Sequence, residues 1–275
     1  MRSEAAKDRI ICTPAWVAPP PRVALPCDAV HVWRVGLIDP PDHVNHLAAS
    51  LSPDERDRAD RFHFERDRHR YVIGRGTLRA ILGAYLGVPP GSLRFGYGPS
   101  GKPFVAEPAD AARLQFNLSH AGALALVAVA HGRAVGVDLE QVRALPDRDL
   151  ISTRFFSALE RAALQALAPE ARDQAFFACW TRKEALLKAW GDGLSFPLDR
   201  FAVSLAPGEP ARLRWVEGGA RAADRWQLRC LVPAPGYLGA VAAEGRGWRL
   251  RCWTWPGDGV ESGRYRRTCL CGSSP

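Results

Sequence analysis

The sequence predicts an α+β protein, and three observations carry that expectation. Two long helix patterns end at glycines, Gly87 and Gly191, where a left-handed cap is easiest to form. Around them, short apolar stretches lie between glycine-rich turns, as strands do. The third observation is an echo: the helix ending at Gly87 is followed by "LRF" (93–95) and a strand, and the helix ending at Gly191 by "DRF" (199–201) and a strand. Two readings of the echo stay open at this level, a coincidence of element order or two related α+β halves. The 275 residues suffice for one large domain or two of about 100–150 residues each.

The elements follow in order. Residues 1–28 are proline-rich and unpatterned, an extended arm. "AVHVWRVGL" (29–37) alternates as a strand. In "SPDERDRADRFHFERDRHRYVIGRGTLRAILGAYLG", Ser52 is an N-cap, Pro53 opens the first turn and Asp54 and Glu55 favour it. Helical segments then run to Gly87, with nearly balanced charge that forms a solvated face. "LRFGYGPSGKPFV" (93–105) reads as strand, turn and strand. "QFNLSH" leads into "ALALVAVA", and "HGR" (131–133) turns this strand into "AVGVDLE", the pattern of a β-hairpin. Helical regions cover 150–168 and 173–190. "FAVSL", "ARLRWV", "RWQLRCLV", "YLGAVAAE" and "WRLRCWTW" read as strands of an antiparallel sheet.

Composition is that of an ordinary globular protein, 47% hydrophobic and 24% charged. No apolar run approaches the ~20 residues that span a bilayer, and the N-terminus mixes both charge signs without a signal-peptide pattern. A cytoplasmic location is expected. The seven cysteines are scattered and form no CxxC framework, which argues for free thiols. A net charge of +8 suggests an acidic partner: nucleic acid, anionic membrane, a phosphate-rich cofactor or an acidic protein.

Four stretches carry chemistry. In "FFACWTRKEALLKAWGDGL", the helical period puts Phe177, Trp180, Glu184, Leu187, Lys188 and Gly191 on one face. Glu184 and Lys188 at i,i+4 could be a surface pair of roughly 0.2–0.5 kcal/mol, but charge on an aromatic stripe calls for a partner, metal or ligand. In "VGVDLE", Asp138 and Glu140 share a strand face. Their repulsion is relieved by solvent at a strand end or by a hard cation such as Mg²⁺. Ser119 and His120 in "FNLSH" fit either turn chemistry or ligand contact, and no nucleophile elbow surrounds Ser119. "PSGKP" (99–103) is a tight turn presenting Lys102, without the Walker pattern.

Taken together, "GKP", "FNLSH", "VGVDLE" and "WTRKEALLKAWG" resemble the 4′-phosphopantetheinyl transferases of the long, pseudodimeric Sfp type. Gly136, Asp138 and Glu140 meet G-x-D-x-E. Trp180, Lys183, Glu184, Ala185, Lys188 and Gly191 meet W-x-x-K-E-[SA]-x-x-K-x-x-G. The resemblance runs from about residue 30 to 245 and includes "RFFS" (154–157) and "GLSFPLDRFAV" (193–203).

The resemblance implies two similar α/β halves related by a pseudo-twofold, with the active site in the cleft between them. The halves fall at 29–133, the nucleotide side, and 134–245, the catalytic side; 246–275 forms a C-terminal strand and tail. It implies Mg²⁺ on Asp138, Glu140 and Glu184, and coenzyme A held by Arg58, Arg66, Gly101, Lys102, Pro103, Ser119, His120 and Lys188, with Arg70 a further candidate. Glu184 would be the general base, Lys188 would steady the leaving phosphate, and His120 would hold a phosphate oxygen. The implied reaction moves the phosphopantetheine arm to a serine of acidic acyl, peptidyl or polyketide carrier proteins of fatty-acid, non-ribosomal peptide and polyketide synthesis, releasing 3′,5′-ADP. The resemblance implies a monomer without nucleic-acid or membrane partners. Rival readings are a Mg²⁺-dependent phosphoesterase or nuclease and a basic nucleic-acid-binding protein, although no recognised nucleic-acid motif is present. Two positions depart from the family pattern. Tyr71 replaces a small hydroxyl residue of some relatives, and Glu55 stands where some carry a basic residue, which is expected to cost a phosphate contact.

Overall fold

The computed structural model describes residues 15–191, 196–218 and 223–257, without the side chain of Asp110. Cys12, Cys269, Cys271, Gly193, most of the N-terminal arm and the tail after 257 lie outside the described residues. In chain order the elements are β1 (Ala29–Gly36), α1 (Pro41–Ala49), α2 (Pro53–Asp60), α3 (Glu65–Leu86), β2 (Arg94–Tyr97), β3 (Pro103–Glu107), β4 (Leu114–Ala121), β5 (Leu124–His131) and β6 (Val135–Gln141). They continue with α4 (Arg148–Phe155), α5 (Ala158–Gln165), α6 (Pro169–Trp190), β7 (Phe201–Val203), β8 (Leu213–Val216), β9 (Trp226–Leu231), β10 (Tyr237–Glu244) and β11 (Arg249–Thr254). The α+β class is as the sequence predicts. Among the described residues no helix is long and apolar enough to cross a membrane.

The chain divides into two units. The outer unit takes residues 15–134 together with those from 247 on. Its sheet has the order β11-β1-β5-β4, and α3 contributes Ile73, Leu78, Ile81 and Leu82 to a core shared with Trp33, Phe116 and Val127. Burying each such side chain stabilises the unit by about 1.5–3 kcal/mol. The inserted unit, 135–246, has the antiparallel sheet β6-β10-β9. Its helix α6 packs on β6 and β10, and Phe176, Leu186 and Leu187 join Phe201 and Leu238 in its core.

The same order of elements occurs in both units. A strand (β1, β6) precedes two short helices and one long helix (α3, α6). A 3-10 turn (Pro90–Ser92, Leu198–Arg200), a paired strand couple (β2·β3, β7·β8) and two further strands follow. The pairings β1-β5-β4 and β6-β10-β9 correspond strand for strand, and both long helices end at a left-handed glycine, Gly87 and Gly191. The sequence echo is therefore structural.

The correspondence extends to buried charge. Ser52 with Glu55 and Ser157 with Glu160 form capping boxes on α2 and α5, satisfying backbone donors that a helix start leaves open. Each glutamate also grips a fully buried cation of its long helix. Glu55 accepts from Arg79 Nε at 2.6 Å, and Glu160 lies 2.7 Å from Lys183 Nζ. Arg79 and Lys183 each stand eight residues before the capping glycine. Arg79 donates onward to the carbonyls of Pro90 and Leu93 at 2.9 and 3.1 Å, and Lys183 to those of Leu198 and Phe201 at 2.9 and 2.6 Å. Each cation thus ties its long helix to the 3-10 turn that follows.

Several sequence expectations change. The turn at 131–133 is not a hairpin: β5 is flanked by β4 and β1, so it has no free edge for β6, which pairs with β10. The hairpin is β4–β5, turning at Gly122 with φ of 55°. "WRLRCWTW" does not join the later strands, because β11 pairs parallel with β1. β7 and β8 form their own two-stranded sheet. The helical region at 150–168 breaks at Ser157, an N-cap, and α6 begins at Pro169 because proline is favoured in a first turn. Cys179, Cys230 and Cys252 are free, whereas Cys27 is disulfide-bonded, against the expectation.

Candidate functional site

In the inserted unit, the GxDxE glycine determines how the charged residues meet. A Cβ on Gly136 would overlap the backbone of Ala185, Lys188 and Ala189, so only glycine lets α6 lie directly on β6. That approach brings Lys188 Nζ to 2.5 Å from Oδ1 of buried Asp138. Glu140, two residues along the strand, and Glu184, one turn before Lys188, are half-buried. Burial raises the Glu184 carboxyl above its ordinary range, with Asp138 adding and Lys188 opposing. Burial likewise raises Glu140, where Asp138 and Glu184 add while Arg143 and Lys188 oppose. Burial thus disfavours the ionised form of both glutamates, and neighbouring carboxylate charge adds to the effect.

Among the described residues, no three His, Cys, Asp or Glu side chains are already arranged to hold a metal ion. The Lys188 ammonium stands against Asp138 and supplies the local positive charge. The donor chemistry nonetheless suits a hard cation, since Asp138, Glu140 and Glu184 offer only oxygen and two of the three are held in a field that discourages ionisation.

The motif's other lysine has a different place. Lys183 is fully buried, with its ammonium 4.1 Å from the centre of the Phe201 ring and paired with Glu160. It braces the helix that carries Glu184 and Lys188. On that helix Phe177 and Leu187 are buried and Trp180 is half-buried, so the apolar stripe anchors it while the two charged residues keep partial access to solvent.

The outer unit contains a basic pocket of 610 Å³. Of the residues singled out in the sequence, Arg58, Arg70, Gly101, Pro103 and His120 line it. The turn between β2 and β3 forms its rim: Gly101 has φ of 79°, its N–H donates to the Gly98 carbonyl at 2.9 Å, and the Gly98 N–H donates to the Lys102 carbonyl at 2.9 Å. Lys102 is not among the lining residues; burial brings its pKa down to about 8. Ser119 is buried in β4, whereas its neighbour His120 is exposed and lines the pocket, consistent with strand alternation. Arg66 is exposed, pairs with Asp67 at 3.1 Å and does not line the pocket.

Sequence reasoning missed Arg75, Tyr97 and Asn117 as lining residues, and Tyr71 lines the pocket as well. A signal for Arg75 was present. Asp67, Arg70, Tyr71, Gly74, Arg75 and Leu78 all line the pocket from α3, and from Asp67 they follow the helical i, i+3, i+4 period, which the candidate Arg70 shares. Glu55, which stands where some relatives carry a basic residue, is 2% exposed and bound to Arg75 and Arg79. Burial opposes its ionisation, but Arg79 and Arg75 hold its carboxyl below the ordinary range.

The inserted unit thus carries a carboxylate–lysine group and the outer unit a basic pocket. The chain belongs to the 4′-phosphopantetheinyl transferase superfamily: a family model of that description matches residues 134–242, and a model of the N-terminal part of such transferases matches residues 40–132. It is 43% identical over 238 residues to the 4′-phosphopantetheinyl transferase HetI of a Nostoc species, covering 86% of this chain and 97% of that one. It is also 32% identical over 155 residues to the 4′-phosphopantetheinyl transferase Sfp of Bacillus subtilis, covering 56% of this chain and 66% of the relative. The protein is thus an enzyme that transfers the phosphopantetheine group.

Proposed function

We propose that the enzyme takes the 4′-phosphopantetheine arm from coenzyme A and places it on a serine of an apo acyl, peptidyl or polyketide carrier protein, with Mg²⁺ required and 3′,5′-ADP released. The observation that carries this reading is Glu184, held half-buried with a raised pKa one helical turn from the Lys188–Asp138 pair. The serine hydroxyl attacks the phosphorus attached to the pantetheine arm. A new P–O bond forms, the bridging P–O bond to the nucleotide breaks, and 3′,5′-ADP carries away the electron pair. Glu184 takes the serine proton, a role suited to a carboxylate tuned toward neutrality. Lys188, oriented by Asp138, steadies or protonates the leaving phosphate. Arg58, His120 and Lys102 hold the phosphate-bearing nucleotide. Asp138, Glu140 and Glu184 would hold Mg²⁺, which when bound offsets the charge of the pyrophosphate.

The net charge of +8 supports an acidic protein as acceptor, since opposite charge steers encounter. The test incubates the protein with coenzyme A, Mg²⁺ and apo carrier proteins and then weighs each carrier by mass spectrometry. The expected result is a gain of one phosphopantetheine. Carriers left unchanged across all three classes would overturn the reading.

A further inference from the structure

We propose that Arg75 is a phosphate-binding residue of the basic pocket and that Glu55 is the positioning residue that fixes it. The inference rests on the proposed use of this pocket for a phosphate-bearing nucleotide. It begins from the repeated units. In the inserted unit one cation, Lys183, completes the tie between the capping glutamate, the long helix and the following turn. In the outer unit Arg79 makes the same set of contacts. Arg75, one turn earlier, is surplus to that structural task. The residue one turn before Lys183 is Cys179, buried and uncharged.

The surplus cation lines the pocket, and Arg79 does not. Three contacts hold Arg75 in place. Its Nε donates to Glu55, its guanidinium centre lies 4.1 Å from the centre of the Phe95 ring, and its Nη2 donates to the Tyr97 hydroxyl at 3.2 Å. Tyr97 itself lines the pocket. Of the five N–H donors on a guanidinium, these contacts use two, leaving three for a planar array of anion oxygens. A side chain already ordered by a buried carboxylate and an aromatic face loses little further freedom on binding.

The surrounding charge sets the ligand class. Arg58, Arg70 and His120 line the pocket with Arg75, and Asp67 is the only acidic residue among the lining. Glu55 neutralises part of the Arg75–Arg79 pair without lining the pocket, so the guanidinium is fixed while the wall stays basic. An anion carrying phosphate oxygens matches this wall. The glutamate that looked like the loss of a phosphate contact therefore recruits another.

The test measures binding of 3′,5′-ADP by calorimetry to the full chain over a range of salt concentrations. Arg75→Gln should weaken binding at least tenfold and make its salt dependence shallower, because one charge contact is gone. Unaltered affinity, or a loss with unaltered salt dependence, would overturn the role of Arg75. For Glu55, the measurement is a double-mutant cycle. Glu55→Gln should weaken binding several-fold in the wild-type background and have no further effect once Arg75→Gln is present. Equal losses in both backgrounds would overturn the positioning role. If Glu55→Gln does not fold, Tyr97→Phe, which deletes the other polar contact to Arg75, enters the same cycle with the same expectation. Wild-type protein that binds no 3′,5′-ADP would overturn the nucleotide reading and this inference together, whereas wild-type binding with an indifferent Arg75→Gln overturns this inference alone.

Discussion

At the residue scale, the site depends on how few charges the fold leaves unbalanced. Glu184→Gln keeps the shape of the side chain but cannot accept the serine proton, so transfer should fall by about 10²–10⁴-fold while coenzyme A binding, read by calorimetry, persists. Lys102 gives a pH signature. Burial brings its pKa down to about 8 from the ordinary 10.5, so its charge is lost as pH rises through about 8. Affinity for 3′,5′-ADP should decline over that range, and Lys102→Met should flatten the decline. The same shift has the opposite sign for stability. Between about 8 and 10.5 the unfolded chain binds more protons at this group than the folded one, so its contribution to stability rises with pH. Asp138, Glu140, Glu184 and Lys188 were singled out by the combined motifs and not by spacing, which alone fits a solvated strand end and a surface pair. The helical period could have placed Arg75 on the pocket face, but not its contacts, because Glu55, Phe95 and Tyr97 converge on it only in the folded chain.

At the scale of elements, the close contact of α6 with β6 is the feature most exposed to mutation. Gly136→Ala should force the helix away from the strand. A loss of about 1–3 kcal/mol, typical of overpacking, should appear in chemical denaturation, and transfer should fall further than stability because Lys188 leaves Asp138. Lys183→Met should cost more, about 3–5 kcal/mol, since it strands the buried Glu160 carboxylate. Calorimetric unfolding distinguishes this from a catalytic effect. Helix ends were readable from Ser52, Gly87 and Gly191, whose local chemistry fixes a cap, whereas the N-cap at Ser157 was passed over inside one helical region. Strand partners were not. β5 and β6 are both apolar and adjacent in sequence, and only the occupation of both β5 edges separates them.

At the scale of the whole molecule, the proposed transfer from a basic enzyme to an acidic carrier predicts kcat/KM falling as salt rises, with kcat much less affected; a flat salt profile would argue against charge steering. The sheet of the outer unit makes a further demand on the chain. β1 takes β11 as its parallel neighbour, with Val30 opposite Leu250 and Val32 opposite Cys252, and Val17 bridges to Trp253. Deleting residues from 247 onward should uncover an apolar strand edge and convert soluble protein to aggregate, as light scattering on heating would report. On the ribosome the same feature becomes a matter of timing. The strands of the inserted unit emerge in one uninterrupted stretch and can pair as they appear. β1, made before them, has to wait for β11 until nearly all the described chain is outside the exit tunnel. Synthesis therefore favours completion of the unit that holds Asp138, Glu140 and Glu184 before that of the four-stranded sheet of the outer unit.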